Sequence, residues 1–169
     1  GGLTTYDVTT FSEATDVFMS FLMFIGASPS SVGGGIRTTT FAIAILFLIS
    51  YARGHTEIHV FKRKIKEIDV FRSYVVIILA FFMVFISTLL LLITEKHATV
   101  TQILFEISSA FGTCGMSLGI TSDLTTVGKV IIMILMFIGR VGLISFLYSL
   151  GGRQKKMPYQ YPTERVIIG

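Results

Sequence analysis

The chain has 169 residues, of which 52% are hydrophobic and only 14% are charged, and its mean hydropathy is +0.77. Soluble domains carry about 25% charged residues, so this composition excludes an ordinary water-facing surface. The single cysteine, Cys114, excludes an intramolecular disulfide framework. We expect a membrane-embedded chain and, because it has no initiator methionine, a part of a longer protein.

Three stretches are long and apolar enough to cross a membrane. Val17–Ala52 has one charged residue, Arg37, and Val130–Leu150 also has one, whereas Ser73–Thr94 has none. A helix needs roughly 20 apolar residues to span a bilayer core of about 30 Å. The alternative is a soluble core helix, but such helices show a polar face, and Ser73–Thr94 has no such face. We predict membrane-spanning helices.

The first stretch is interrupted in its middle. A proline removes a backbone donor and three consecutive glycines lower helix propensity, so a helix cannot continue through this segment. Non-helical backbone at membrane depth is tolerated only where it is buried in protein or lines water. The segment is therefore either a plain break between two half-helices or a loop beside a water-filled path. The candidate loop residues are Gly26, Ala27, Ser28, Pro29, Ser30, Ser31, Gly33, Gly34 and Gly35.

The positions of the basic residues predict the orientation of the chain. Short loops rich in lysine and arginine stay on the cytoplasmic side. The segment from Glu95 to Thr126 has one such residue, Lys96, and is expected outside. The net charge of +4 then reflects topology and contact with anionic lipids rather than nucleic-acid binding. The basic residues of the two expected cytoplasmic segments are Arg53, Lys62, Arg63, Lys64, Lys66, Arg72, Arg153, Lys155, Lys156 and Arg165.

A short apolar segment, Thr99–Phe111, lies in the external connection. Stretches of roughly 10 to 14 such residues are often re-entrant or interfacial. A turn rich in glycine and hydroxyl residues, Gly112–Gly119, follows it. A short helix and an irregular turn between two full spans predict a pore hairpin.

The pentapeptide Leu-Met-Phe-Ile-Gly occurs twice, ending at Gly26 and, 113 residues later, at Gly139. The same offset places Gly2 over Gly115, and both sites read small–glycine–apolar–hydroxyl. We predict a structural repeat, with one complete helix–hairpin–helix unit and the rear half of another. Internal repeats are common in transporters, which place their sites at the repeat interface.

The two glycine turns have the chemistry of a site for a monovalent cation. Selectivity filters replace the water of an ion with rings of backbone carbonyls, and glycine lets the backbone aim them at one axis. The preceding helix would present the negative end of its dipole. No carboxylate lies within Gly112–Gly119, which argues against a calcium site. The alternative is a turn with glycines for geometry only. The candidate ion-binding residues are Gly1, Gly2, Leu3, Thr4, Thr113, Cys114, Gly115, Met116 and Ser117.

The last stretch continues past its pentapeptide as Arg140-Val141-Gly142, and we expect its helix to reach Leu150. A charge at membrane depth usually faces a bundle interior or a cavity. Our hypothesis is that the Gly26–Gly35 loop crosses the path below the turns as a gate, and that Arg140 pairs with its carbonyls. The alternative is an arginine that snorkels to the cytoplasmic interface.

Three segments resemble signatures of the Trk/Ktr/HKT superfamily of potassium transporters, most of all the membrane (B) subunit of bacterial Ktr systems. Phe24–Thr40 is similar to its loop signature, Phe111–Gly119 to its fourth filter segment, and Phe137–Gly142 to its last helix. The resemblance implies an all-α membrane protein whose helix–pore-hairpin–helix repeats form a pseudo-fourfold cation channel fold. This chain would be its C-terminal portion. Residues 1–52 would end the third repeat, 53–72 form a cytoplasmic basic loop, 73–152 form the fourth repeat and 153–169 a cytoplasmic tail.

The resemblance also implies a function and partners. Members take up potassium across the bacterial inner (plasma) membrane as multi-pass proteins, and sodium often promotes their activity. Their filter glycines match Gly2 and Gly115, their gating loop matches Gly26–Gly35, and the arginine opposite it matches Arg140. They form homodimers and dock on a cytosolic ring of regulatory subunits, and nucleotide binds only to that ring.

Two other functions stay open on the sequence. A sodium/potassium symporter would also have helix breaks at corresponding places in its repeats. A membrane scaffold subunit without a conduction path would tolerate a change at Gly115. An enzyme is disfavoured, because no cluster of His, Asp, Glu or Cys converges in the apolar stretches.

Overall fold

The computed structural model describes residues 8–29, 31–54, 59–60 and 63–143. The regular elements of this described part are helices, apart from one pair of very short strands. A short 3₁₀ turn precedes the first α-helix. In chain order the elements are the 3₁₀ turn Val8–Thr10, α1 Glu13–Phe24, α2 Thr38–Ala52, β1 His59–Val60, β2 Arg63–Lys64, α3 Glu67–Thr94, α4 Val100–Gly112 and α5 Thr126–Val141.

Helix α1 has a defined start and a defined stop. The Ser12 hydroxyl accepts the amide of Thr15, which satisfies one of the free donors of the first turn. The helix ends at Phe24. Pro29 explains the stop, because in a continuing helix its ring would collide with the carbonyl of Ile25, four residues earlier.

The connection between α2 and α3 is shorter than the sequence suggested. The antiparallel strands β1 and β2 lie within it. Helix α3 begins at Glu67, six residues before the uncharged stretch, so the predicted basic loop 53–72 ends at Lys66. Two acidic residues, Glu67 and Asp69, occupy the first turn of α3. Negative charge there complements the helix dipole, which explains the early start.

Helix α3 is the single helix in the described part that is both long and apolar enough to cross a membrane. It has 28 residues, and α2 is a shorter apolar helix. Much of α3 is not covered by protein: Phe81 is 66% exposed and Ile93 is 71% exposed. Because soluble proteins rarely expose so continuous an apolar surface, this face is suited to lipid.

Helix α4 is the centre of the fold. It begins with a capping box between Thr99 and Gln102 and packs on α1, α3 and α5. Ile103, Phe105 and Ile107 are completely buried on it. The short helix expected at Thr99–Phe111 is therefore present, and it is enclosed by the other helices.

Helix α5 ends earlier than expected. It stops at Val141, and Gly142 follows with a φ of 87°, a left-handed conformation that glycine adopts without a steric penalty. The expectation of one helix running through to Leu150 is therefore wrong at Gly142. Residues 144–150 lie outside the described part.

Helices α1 and α5 begin 113 residues apart, at Glu13 and Thr126, the offset found in the sequence. The preceding residue caps each helix in the same way. The Ser12 hydroxyl accepts an amide three residues later, and so does the Thr125 hydroxyl. The two helices therefore agree with the predicted offset at their first turns.

Candidate cation site and gating loop

The predicted filter turn begins where α4 ends. Thr113 adopts a left-handed conformation with a φ of 53°, and its amide donates to the carbonyl of Ala110 at 3.2 Å. The amide of Cys114 donates to the carbonyl of Ser109 at 2.9 Å. Gly115 follows with a φ of 78° and is exposed. This turn therefore needs a glycine at position 115, since other residues adopt such a φ only with strain.

The main-chain carbonyls of the turn are the oxygen atoms available for a ligand. Within the described residues, no amide donates to a carbonyl of Thr113–Met116. The side-chain hydroxyls are placed differently. Thr113 Oγ1 accepts the amide of Gly34, and Ser117 Oγ bonds to Thr121 and to the amide of Gly119. The hydroxyls of two candidate ion-binding residues, Thr113 and Ser117, therefore have protein partners.

The segment between α1 and α2 is folded into a compact loop. The amide of Ile36 donates to the carbonyl of Phe24 at 3.3 Å, and the amide of Thr38 donates to that of Ala27 at 3.4 Å. These bonds bring the two ends of the loop together. The Ile36 side chain is only 1% exposed and anchors the loop in the hydrophobic core.

Glycines seat this loop directly on the end of α4. Gly34 is buried, and a Cβ there would lie 2.8 Å from Thr113 Cγ2 and 3.0 Å from the carbonyl oxygen of Phe111. Within the loop, a Cβ at Gly26 would overlap the carbonyl oxygen of Gly34. On α5, a Cβ at Gly139 would overlap the carbonyl oxygen of Phe111. The loop, α4 and α5 therefore meet backbone to backbone, at distances that only glycine allows.

Two arginines hold carbonyls of the loop. Arg140, at the end of α5, donates to the carbonyl of Val32, which is the type of contact predicted for it. Arg37 donates to the carbonyl of Pro29 at 3.1 Å. Sequence reasoning did not assign a role to Arg37. Arg37 is the one charged residue in the stretch Val17–Ala52 and lies beside the helix break, and this position could have indicated its role.

A cavity of about 570 Å³ lies beside the turn and the loop. Its walls come from α1, the loop, the residues 112–114 and Arg140. The Arg140 side chain is not buried by the rest of the chain, and it lines this cavity, as expected of a charge at membrane depth. The structure thus brings together the loop, the arginine and the second glycine turn.

Five predicted site residues, Gly1, Gly2, Leu3, Thr4 and Ser30, lie outside the described residues. The position of the first glycine turn relative to Gly115 therefore stays a prediction. The sequence reasoning also gave no role to Glu106, which is buried in α4. A lone carboxylate in an otherwise apolar and small-residue helix was the signal that could have found it.

Comparison with known proteins identifies the family. The family model described as TrkH, cation transport protein, matches residues 1–158. The chain belongs to the TrkH family. Membership agrees with the resemblance found in the sequence, and a membrane location follows for a TrkH chain with apolar surfaces of this kind.

Curated relatives of this TrkH chain carry potassium in their names. It is 56% identical over 169 residues to Ktr system potassium uptake protein D of Bacillus subtilis, covering all of the chain and 37% of that protein. It is 40% identical to Ktr system potassium uptake protein B of the same organism, covering 99% of the chain and 37% of that protein. It is 34% identical to the potassium/sodium uptake protein NtpJ of Enterococcus hirae, covering 99% of the chain and 38% of that protein. The chain thus spans a little over a third of the length of these relatives.

Proposed function

We propose that this chain is the C-terminal portion of the membrane subunit of a potassium uptake system. In this proposal the turn Thr113–Ser117 is one segment of the selectivity filter, and the loop Gly26–Gly35 is its gate. The observation that carries the proposal is the hydrogen bond of 2.8 Å from the amide of Gly34 to the hydroxyl of Thr113. Through this bond the loop is joined to the turn itself.

The chemistry of the turn supports a monovalent cation. The carbonyls of Thr113–Met116 follow the C-terminal end of α4, where the helix dipole is negative. Carbonyl dipoles of this kind replace the hydration shell of potassium in filters. The relatives named for potassium uptake support this ion. Sodium is proposed only as an activator.

The contacts of the loop support a gate. The loop lies against the start of the turn, at Thr113, and Arg140 and Arg37 donate to two carbonyls of the loop. Its buried contacts need glycines at positions 26 and 34, where a Cβ would collide with main-chain atoms. Its residues Ser28, Pro29 and Val32 are exposed. A segment held by a few hydrogen bonds beside a cavity can leave its seat without unfolding a helix.

The multi-pass topology and the assembly belong to the same proposal. The exposed apolar faces of α2 and α3 suit a bilayer, and the basic residues after α2 would face the cytoplasm. We propose that this subunit forms a homodimer and that a cytosolic nucleotide-binding ring docks on its cytoplasmic side. The words "Ktr system" in the names of two relatives support a partner subunit.

The function is tested by Gly115→Ser in the full-length protein, with potassium uptake measured in cells that lack other uptake systems. A strained backbone costs about 1–3 kcal/mol, so a displaced carbonyl should lower uptake by at least about fivefold. Gly54→Ser is the matched control, because Gly54 has the same φ of 78° but open space around it. Wild-type uptake by Gly115→Ser, at equal amounts in the membrane, would contradict the proposal and favour a scaffold.

A further inference from the structure

A buried carboxylate stands behind the filter turn. Glu106 lies in the middle of α4 and is only 6% exposed. Its Oε1 accepts the hydroxyl of Thr121, and its Oε2 has no hydrogen-bond partner in the described part of the chain. A carboxylate removed from water costs several kcal/mol unless it is fully bonded. Such a group calls for an explanation beyond packing.

Hydrogen bonds link this carboxylate to the end of the filter turn. The Ser117 and Thr121 hydroxyl oxygens lie 2.7 Å apart, and the amide of Gly119 donates to Ser117 Oγ at 3.0 Å. A hydroxyl has one proton to donate. Because Thr121 gives its proton to Glu106, Ser117 must donate to Thr121. Each donor in this series of hydrogen bonds, from Gly119 through Ser117 to Thr121, therefore points toward Glu106.

The Glu106 end of this hydrogen-bonded series is buried, whereas Thr121 is exposed. The neighbours of Glu106 on α4, Phe105 and Ile107, are completely buried. Thr121, in contrast, lies in the exposed segment between the turn and α5. A buried acceptor at Glu106 thus holds an exposed hydroxyl in a segment whose Leu124 is buried in the core.

We propose that Glu106 is a positioning residue that holds the end of the filter turn through Thr121 and Ser117. The inference rests on the proposed function, since it needs the turn to be a filter. Its consequence concerns specificity. A carbonyl filter selects an ion by the geometry and number of its ligands, so a loosened turn should discriminate less well between potassium and sodium.

The test is the potassium-over-sodium permeability ratio of the full-length protein in lipid vesicles. Thr121→Val keeps the shape of the side chain and removes the link. The Thr121 hydroxyl makes two hydrogen bonds, each worth about 1 kcal/mol, so its loss should lower the ratio by at least about fivefold. Glu106→Gln keeps an acceptor oxygen and should retain a ratio close to that of the wild type. Thr94→Val is the control, since its hydroxyl bonds only to carbonyls of its own helix.

A double-mutant cycle separates positioning from a general loss of stability. Ser117→Ala and Thr121→Val break the same chain, so their combined effect on the ratio should equal that of one alone. An unchanged ratio in Thr121→Val, or additive effects in the cycle, would overturn the inference.

Gly115→Ser distinguishes the two proposals. If it abolishes uptake while Thr121→Val keeps the ratio, the positioning role fails and the filter stands. If Gly115→Ser keeps uptake, the filter itself fails.

Discussion

Helices α1 and α5 start alike and end differently, and the difference brings Arg140 to the loop Gly26–Gly35. Both begin after a hydroxyl cap and both reach the sequence Phe-Ile-Gly. Helix α1 ends at Phe24, and the loop follows. Helix α5 continues one turn farther, to Val141. At the offset of 113, Ala27 of the loop corresponds to Arg140 on that extra turn. One copy thus supplies the loop, and the other supplies the arginine that holds it.

The glycines that end the two pentapeptides also play matched roles. Gly26 packs on the carbonyl of Gly34, and Gly139 packs on the carbonyl of Phe111. In both cases the opposing atom belongs to a main chain, which cannot rotate away as a side chain can. The two pentapeptides therefore share a close backbone contact even though the secondary structure around them differs.

The largest effect is expected for Gly26→Ala. The added Cβ overlaps the carbonyl oxygen of Gly34, and overpacking of this kind costs about 1–3 kcal/mol. We expect a clear fall in the Tm of the purified full-length protein. Ser28→Ala is the control, because the Ser28 side chain is exposed in the same loop. An equal Tm for the two variants would show that the loop is not seated as described.

An intermediate effect is expected at the helix caps, where the two copies differ in one partner. The Ser12 hydroxyl bonds to the amide and the hydroxyl of Thr15 in its own first turn, whereas the Thr125 hydroxyl also donates to the buried carboxylate of Glu95 at 2.5 Å. Ser12→Ala should lower the free energy of unfolding by about 1 kcal/mol. Thr125→Val should lower it by about 2 kcal/mol, because it also deprives a buried charge of a donor. Chemical denaturation of both variants measures the difference, and equal losses would mean that Glu95 adds nothing to the second cap.

Much of the fold follows from local sequence. The short helix α4, the break at Pro29 and the offset of 113 residues were predicted, because short apolar runs, prolines and identical pentapeptides are local features of a sequence. The contact of Arg140 with the loop was also predicted, since a charge in an apolar stretch needs a nearby acceptor.

Other features depend on contacts between distant segments, which one sequence does not reveal. The bond from Gly34 to Thr113 joins residues 79 positions apart, and it gives a partner to a hydroxyl that we had assigned to the ion. The end of α5 at Gly142 was missed because a glycine inside an apolar pattern is compatible with either a helix or a stop. The link from Glu106 to Thr121 depends on how the turn folds back over α4.

The central claim is that the loop, held by Arg140, obstructs an ion path below the Gly115 turn. The direct measurement is rubidium flux through the full-length Arg140→Gln protein in vesicles, with Arg72→Gln, an exposed arginine in a surface pair, as the control. Loss of a charged hydrogen bond, about 1.5 kcal/mol, should shift the loop toward its released state and raise flux by up to about tenfold. Flux equal to that of the wild type and the control, in vesicles with equal amounts of folded protein, would contradict the account.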